Sequence, residues 1–177
     1  MKFCIVVDVQ KDFLNGVLGS QEAMATIPYI EKQVASSDYN LVIFTKDIHD
    51  SIPKDTIENQ RVPAHCIRNE SGSEIWPSLL ENAKNYLIVG KQTFGSYGLP
   101  ETIMNEVYGY GEDVEEIHIM GLCTDICVVS NALMLRSAFP AVPIYVHADG
   151  CAGTTPENHE SALEVMQSCL IDVYYEV

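Results

Sequence analysis

Six short runs dense in β-branched and aliphatic residues recur along the chain: KFCIVVDV, NLVIFTKD, NYLIVGK, EEIHIMG, VPIYVHAD and LIDVYYEV. Each is almost unbroken in apolar character, which is how strands covered on both faces read, whereas a strand with one face in water would alternate. Such strands need helices above and below the sheet, and the intervening segments supply them. Ala23 to Ser36 and Leu99 to Glu106 are expected helices, and Asp125 to Ser137 is a third, carrying Ile126, Val129, Ala132, Leu133 and Leu135. A last helix should open at Thr155-Pro156, where threonine can cap and proline suits the first turn. The expected fold is therefore an α/β three-layer sandwich around a mostly parallel sheet of about six strands. The chain has 177 residues and no linker-like stretch, so a single domain over 1–177 is expected.

In sheets of this kind ligands bind beyond the carboxyl ends of the strands. That rule sorts the polar residues. Asp8 ends the first run, Asp47 and His49 follow the second, Lys91 the third, Gly121 to Cys127 the next and Asp149 the one after, so they should gather on one rim. The segment His49 to Ser73, rich in Pro, Asn, Ser and charge, reads as a long ordered loop of the functional kind.

A formal charge of -15 at pH 7 works against nucleic acid and anionic lipid as partners, because the approaching charges have the same sign. No apolar run approaches the roughly 20 residues a bilayer span requires. Asp8 interrupts the first run before it reaches the length of a secretory core, so a cytoplasmic protein is expected. The six cysteines, Cys4, Cys66, Cys123, Cys127, Cys151 and Cys169, form no C-x-x-C pair and lie mostly in apolar segments, which suits reduced thiols.

The stretch GLCTDICV, Gly121 to Val128, places two of those thiols where a strand feeds a helix. A thiol attacks as the thiolate, which a helix N-terminus and a nearby cation favour; Lys91 can supply the cation to Cys127. A carboxylate such as Asp8 could take the thiol proton and return it to a leaving group. Small apolar packing is the competing role for either cysteine. A second cluster comprises Asp47 and His49 as D-x-H, then Glu58, then His65 in VPAHC. Imidazoles with carboxylates suit one divalent metal, zinc foremost, with manganese or iron also possible.

VVDVQKDF, GKQTFGSYGL, GLCTDICVVSNAL and VHADGCAG together resemble the successive signatures of the isochorismatase-like cysteine hydrolases, in the same order along nearly the whole chain. The resemblance implies a catalytic triad of Asp8, Lys91 and Cys127. It also implies an oxyanion hole from the backbone of Cys123 and Cys127, with the Leu122-Cys123 peptide cis. The D-x-H, glutamate and P-x-H-C pattern resembles the nicotinamidase branch, which implies metal ligands at Asp47, His49, Glu58 and His65. Nicotinamide hydrolysis through a cysteine thioester, in NAD salvage, is the activity implied, and a homo-oligomer is the implied assembly. Another small amide or an N-carbamoyl compound is the alternative substrate, and a binding module without turnover a third reading, against which the intact triad argues. Ile48 and Val62 stand where relatives are often aromatic. Ring packing is therefore expected from Phe13, Val17 or Leu18, and Tyr97.

Overall fold

The computed structural model describes residues 1–50 and 56–176; residues 51–55 of the expected His49 to Ser73 loop, and Val177 at the end of the last expected strand, lie outside the described residues. The six apolar runs form six strands: β1 (Lys2–Val7), β2 (Leu41–Asp47), β3 (Tyr86–Lys91), β4 (Glu116–Leu122), β5 (Ile144–Ala152) and β6 (Asp172–Tyr174). All pair in parallel, in the order β3-β2-β1-β4-β5-β6. The inner strands are buried along both faces, as their unbroken apolar runs require; Phe3, Ile5, Ile43, Ile117 and Ile119 have no exposed surface.

The helices are α1 (Lys11–Leu14), α2 (Gln21–Ala25), α3 (Ile27–Val34), α4 (Ile57–Arg61), α5 (Pro77–Asn82), α6 (Gly98–Tyr110), α7 (Val129–Ala138) and α8 (Pro156–Ser168). The single helix expected over Ala23 to Ser36 is two, α2 and α3. Pro28 has no N–H to continue the ladder across the junction, and the Thr26 hydroxyl donates to the Ala23 carbonyl at 2.8 Å instead. α6 runs beyond the expected Glu106 and stops where Gly111 takes φ +67, the left-handed geometry that ends a helix. At α8 the Thr155 hydroxyl accepts the Asn158 N–H at 3.1 Å, the cap expected from its sequence.

His118 in β4 and His147 in β5 are satisfied within the sheet. Tyr29 OH lies 2.6 Å from His147 Nδ1, His147 Nε2 lies 2.9 Å from His118 Nδ1, and His118 Nε2 lies 3.2 Å from Glu116. Burial lowers both imidazoles, and in their neutral forms donors and acceptors alternate along this chain with the protons on Nε2.

From β1 the chain moves outward to β3, then crosses back to β4 beside β1 and proceeds to the other edge. That reversal opens a crevice between the carboxyl ends of β1 and β4. Gly121 closes its floor: it pairs with Val7 at φ +128, and a Cβ there would lie 2.1 Å from the Val7 carbonyl oxygen. Only glycine fits at this point. β5 extends to Ala152, three residues past the expected end, after a register shift that pairs Cys151 with Gly121 and Ala152 with Leu122. The shift carries the following residues to the edge of the crevice.

Candidate active site and metal-ligand cluster

Asp8 leaves β1 with φ +50, a backbone region that non-glycine residues seldom occupy and that marks working sites. Thr45 of β2 holds it there, accepting the Asp8 N–H at 3.2 Å and donating its hydroxyl to Asp8 Oδ1 at 2.7 Å. Lys91, at the end of β3, reaches inward past β2. Its ammonium lies 2.6 Å from Asp8 Oδ2, 3.6 Å from Asp47 Oδ1 and 3.7 Å from Cys127 Sγ. The Asp8 carboxylate acts on the Cys127 thiol through its charge. Three residues separated by up to 119 positions thus meet in one buried cluster.

Burial lifts the Asp8 carboxyl above the ordinary carboxylate range, with Lys91 opposing and Asp47 assisting. Burial likewise raises Cys127 well above an ordinary thiol; the adjacent Asp8 adds to this and Lys91 counters it. Burial thus favours the thiol form of the resting sulfur, from which Asp8 has a proton to take. Burial alone would lower Lys91, but Asp8, Cys127 and Asp47 hold it above its ordinary value, so it stays charged. A neutral thiol beside a carboxylate of raised basicity is arranged for proton transfer at the moment of attack.

Cys127 lies in a π-helical turn, Thr124–Val128, that feeds α7. The turn follows Cys123, whose carbonyl accepts the N–H groups of both Ile126 and Val128 at 3.1 Å. The Leu122-Cys123 peptide is cis. The turn is fastened from outside: Asp125 accepts the Thr154 N–H at 2.8 Å and its hydroxyl at 2.5 Å, and the Thr124 hydroxyl meets His159 Nδ1 at 2.8 Å.

Asp47, His49, Glu58 and His65 converge with one ligand atom from each inside a 4.8 Å span. Asp47 Oδ2 is 2.8 Å from His49 Nε2 and 3.3 Å from His65 Nε2, and Glu58 Oε1 is 3.7 Å from His65 Nε2 and 4.0 Å from His49 Nε2. His65 Nδ1 donates to the Pro63 carbonyl at 2.8 Å, which fixes the tautomer with Nε2 free to face the cluster. Burial would raise Asp47, but the two histidines and Lys91 hold it well below the usual range; Glu58 is raised by burial and by Asp47. Two imidazoles and two carboxylates aimed at one point fit a divalent cation with oxygen and nitrogen ligands. Gln10, fully buried, holds Asp47 in place: its amide takes the Asp47 N–H at 2.8 Å and donates to the Asp47 carbonyl at 2.8 Å and the Ser73 carbonyl at 3.0 Å.

A cavity of about 390 Å³ joins the two clusters, with Cys123 and Cys127 in one wall and Glu58 and His65 in another. Phe13, Leu18, Val62, Phe94, Ile126 and Ala152 make the remainder largely apolar. Phe13 and Leu18 thus stand where the sequence placed them. Tyr97 does not: it is 83% exposed and lines a separate hollow with Ile48 and Arg68, and Phe94, three residues earlier, supplies the ring instead. Val17 is 54% exposed and does not line the cavity. Of the two departures from aromatic character, only Val62 borders the cavity; Ile48 packs towards Gly90 of β3.

Residues 2–174 match the Isochorismatase domain family. The chain belongs to the isochorismatase family. Within that family it is 27% identical to a nicotinamidase of Schizosaccharomyces pombe, over 97% of this chain and 92% of the relative. It is 28% identical to a nicotinamidase/pyrazinamidase of Mycobacterium tuberculosis, over 98% of both chains. Among solved structures, a pyrazinamidase of Pyrococcus horikoshii in complex with zinc superposes with a TM-score of 0.81 at 27% identity, covering 99% of each chain.

Proposed function

We propose that this protein is a nicotinamidase, hydrolysing nicotinamide to nicotinic acid and ammonia, with Asp8, Lys91 and Cys127 as its catalytic residues. One observation carries the reading: the thiol of the buried triad and the His65 and Glu58 side chains of the metal-ligand cluster face the same cavity, which has an apolar wall suited to an aromatic ring. A pyridine carboxamide has the matching arrangement, a carboxamide carbon for sulfur at one end and a ring nitrogen lone pair for a cationic centre at the other. Asp47, His49, Glu58 and His65 would hold the ion, zinc by its donor set; when bound it supplies a positive centre that orients the ring.

The protein groups carry the bond changes. Asp8 takes the proton of Cys127 as sulfur attacks the carboxamide carbon, and the N–H groups of Cys123 and Cys127 receive the oxyanion. Asp8 returns that proton to the leaving nitrogen, releasing ammonia and leaving a thioester. Asp8 then accepts a proton from water as it attacks the thioester, and nicotinic acid and the thiol are restored. Lys91 keeps its positive charge throughout beside carboxylate and sulfur. The reading includes a role in recycling nicotinamide for pyridine nucleotide synthesis and a cytoplasmic location.

The test is ammonia release from nicotinamide, pyrazinamide, small aliphatic amides and N-carbamoyl amino acids, with and without added zinc. Nicotinamide turnover that disappears in Cys127→Ala supports the reading. Turnover confined to an N-carbamoyl compound overturns it.

A further inference from the structure

Asn131 lies one turn beyond Cys127 in α7 and has no exposed surface. Its amide serves two parts of the site at once. Nδ2 donates to the Cys127 carbonyl at 2.8 Å and to the Phe94 carbonyl at 3.2 Å, while Oδ1 accepts the Ser96 N–H at 2.9 Å. Both amide hydrogens and one oxygen lone pair are therefore used, and burial makes each bond costly to lose. Helix packing alone does not call for an amide here, since the neighbouring buried positions Ala132 and Leu135 are apolar.

The partners give the amide its meaning. Phe94 and Ser96 belong to the segment between β3 and α6 that begins just after Lys91, and Phe94 lines the substrate cavity although 43% exposed. The same segment lies flat on α7 at Gly95, where a Cβ would come 2.4 Å from Met134 Sδ.

We propose that Asn131 is a positioning residue that ties the Phe94 wall to the nucleophile turn, so that a bound ring and the Cys127 sulfur keep a fixed separation. The proposal rests on reading the cavity as a site for an aromatic carboxamide. Asn131 acts through Phe94 and does not touch the substrate.

The test is Asn131→Thr. On a helix the threonine hydroxyl can bond the carbonyl four residues back, preserving the link to Cys127 while removing both links to the Phe94 segment. Hydrogen exchange at Ser96 should accelerate, and the KM for nicotinamide should rise roughly tenfold with kcat within about threefold of wild type. Iodoacetamide should label Cys127 at an unchanged rate. In a double-mutant cycle with Phe94→Ala the two KM effects should fall well short of additive, because one residue works through the other. Additive effects, unchanged exchange at Ser96, or a fall in kcat at constant KM would overturn the proposal. If Asn131→Thr does not fold, Asn131→Asp, which keeps the Ser96 acceptor but loses both donors, carries the same cycle. Absence of nicotinamide turnover in the wild type refutes the functional reading alone; the cycle is then run on the carboxamide the wild type does hydrolyse, and additivity there refutes the tether.

Discussion

Replacing Asp8 by asparagine separates the two roles of its carboxylate. The substitution conserves shape and keeps an oxygen for the Thr45 hydroxyl, now 2.7 Å away, but removes the charge facing Lys91. At 2.6 Å, and with the effective dielectric of about 20 suited to such sites, that attraction is about 6 kcal/mol; the 3.6 Å pair with Asp47, about 5 kcal/mol, survives. Removing one member of a buried pair costs roughly 3–5 kcal/mol, and the retained Asp47 contact, with relief of Asp8's own desolvation, puts Asp8→Asn near the lower end. For a chain of this length that corresponds to a fall in Tm of about 10 °C, within the stability an ordinary domain can lose and stay folded. The chemical loss should be larger. Cys127 rests as a thiol held well above its ordinary pKa, so without Asp8 no nearby base receives its proton, and kcat should drop about a thousandfold. Calorimetry and an ammonia-release assay on the same preparation measure both quantities. A Tm lowered as stated with kcat within tenfold of wild type would show the carboxylate to be structural, and would sink the assigned mechanism.

Burial, with His118 assisting, lowers His147 to about 4, so its contribution to stability is complete above the unfolded value near 6.5 and is lost as pH falls from there towards 4. The unfolding free energy from urea melts should fall, between pH 7 and pH 4.5, by about 2 kcal/mol more in the wild type than in His147→Gln; equal losses in both would contradict the neutral chain of imidazoles. Chelation of the metal should raise the KM for nicotinamide more than it lowers kcat, and an unchanged KM after metal removal counts against a ring-orienting ion. Iodoacetamide should modify Cys127 well before the fully buried Cys4 and Cys66, with nicotinate protecting it, and peptide mapping against a denatured control decides the order.

The sheet was legible because its signal is a bulk property. Six unbroken apolar runs can be satisfied only by strands covered on both sides, and the strand-end rule then delivered Asp8, Asp47, Lys91 and Cys127 to one rim before any coordinate. The misplacements share a cause: direction within a segment depends on contacts that periodicity does not carry. Tyr97 and Phe94 are three residues apart, and which ring faces the cavity is settled by the bonds from Asn131 to the Phe94 carbonyl and Ser96 N–H. Thr45 and Gln10 were passed over as strand and loop residues, although Asp8, Gln10 and Asp12 alternate after β1 and so present polar groups at every second position. Asp12, the third of them, accepts the Cys66 N–H at 2.7 Å beside His65 of the candidate ligand cluster. The protonation of Cys127 is not legible in the sequence. A helix start and a lysine are visible in sequence, whereas full burial, which outweighs them, is a property of the assembled core.

Asp47 is the residue through which the two halves of the site act on each other. One of its oxygens faces the Lys91 ammonium and the other faces both imidazoles. Asp8, Asp47 and Glu58 bring three carboxyl groups into a largely buried space beside the one ammonium of Lys91. Burial, with Asp47 adding to it, raises Glu58, and a divalent cation among the four ligand atoms would oppose both effects. With a cation held there, Asp47 would share its charge between the ion and Lys91, and the ammonium would depend more on Asp8. The metal cluster and the triad are therefore one electrostatic unit, and a substitution at Asp47 should weaken metal binding and disturb the Asp8, Lys91 and Cys127 group together, whereas His49→Ala should weaken metal binding with much less effect on the triad.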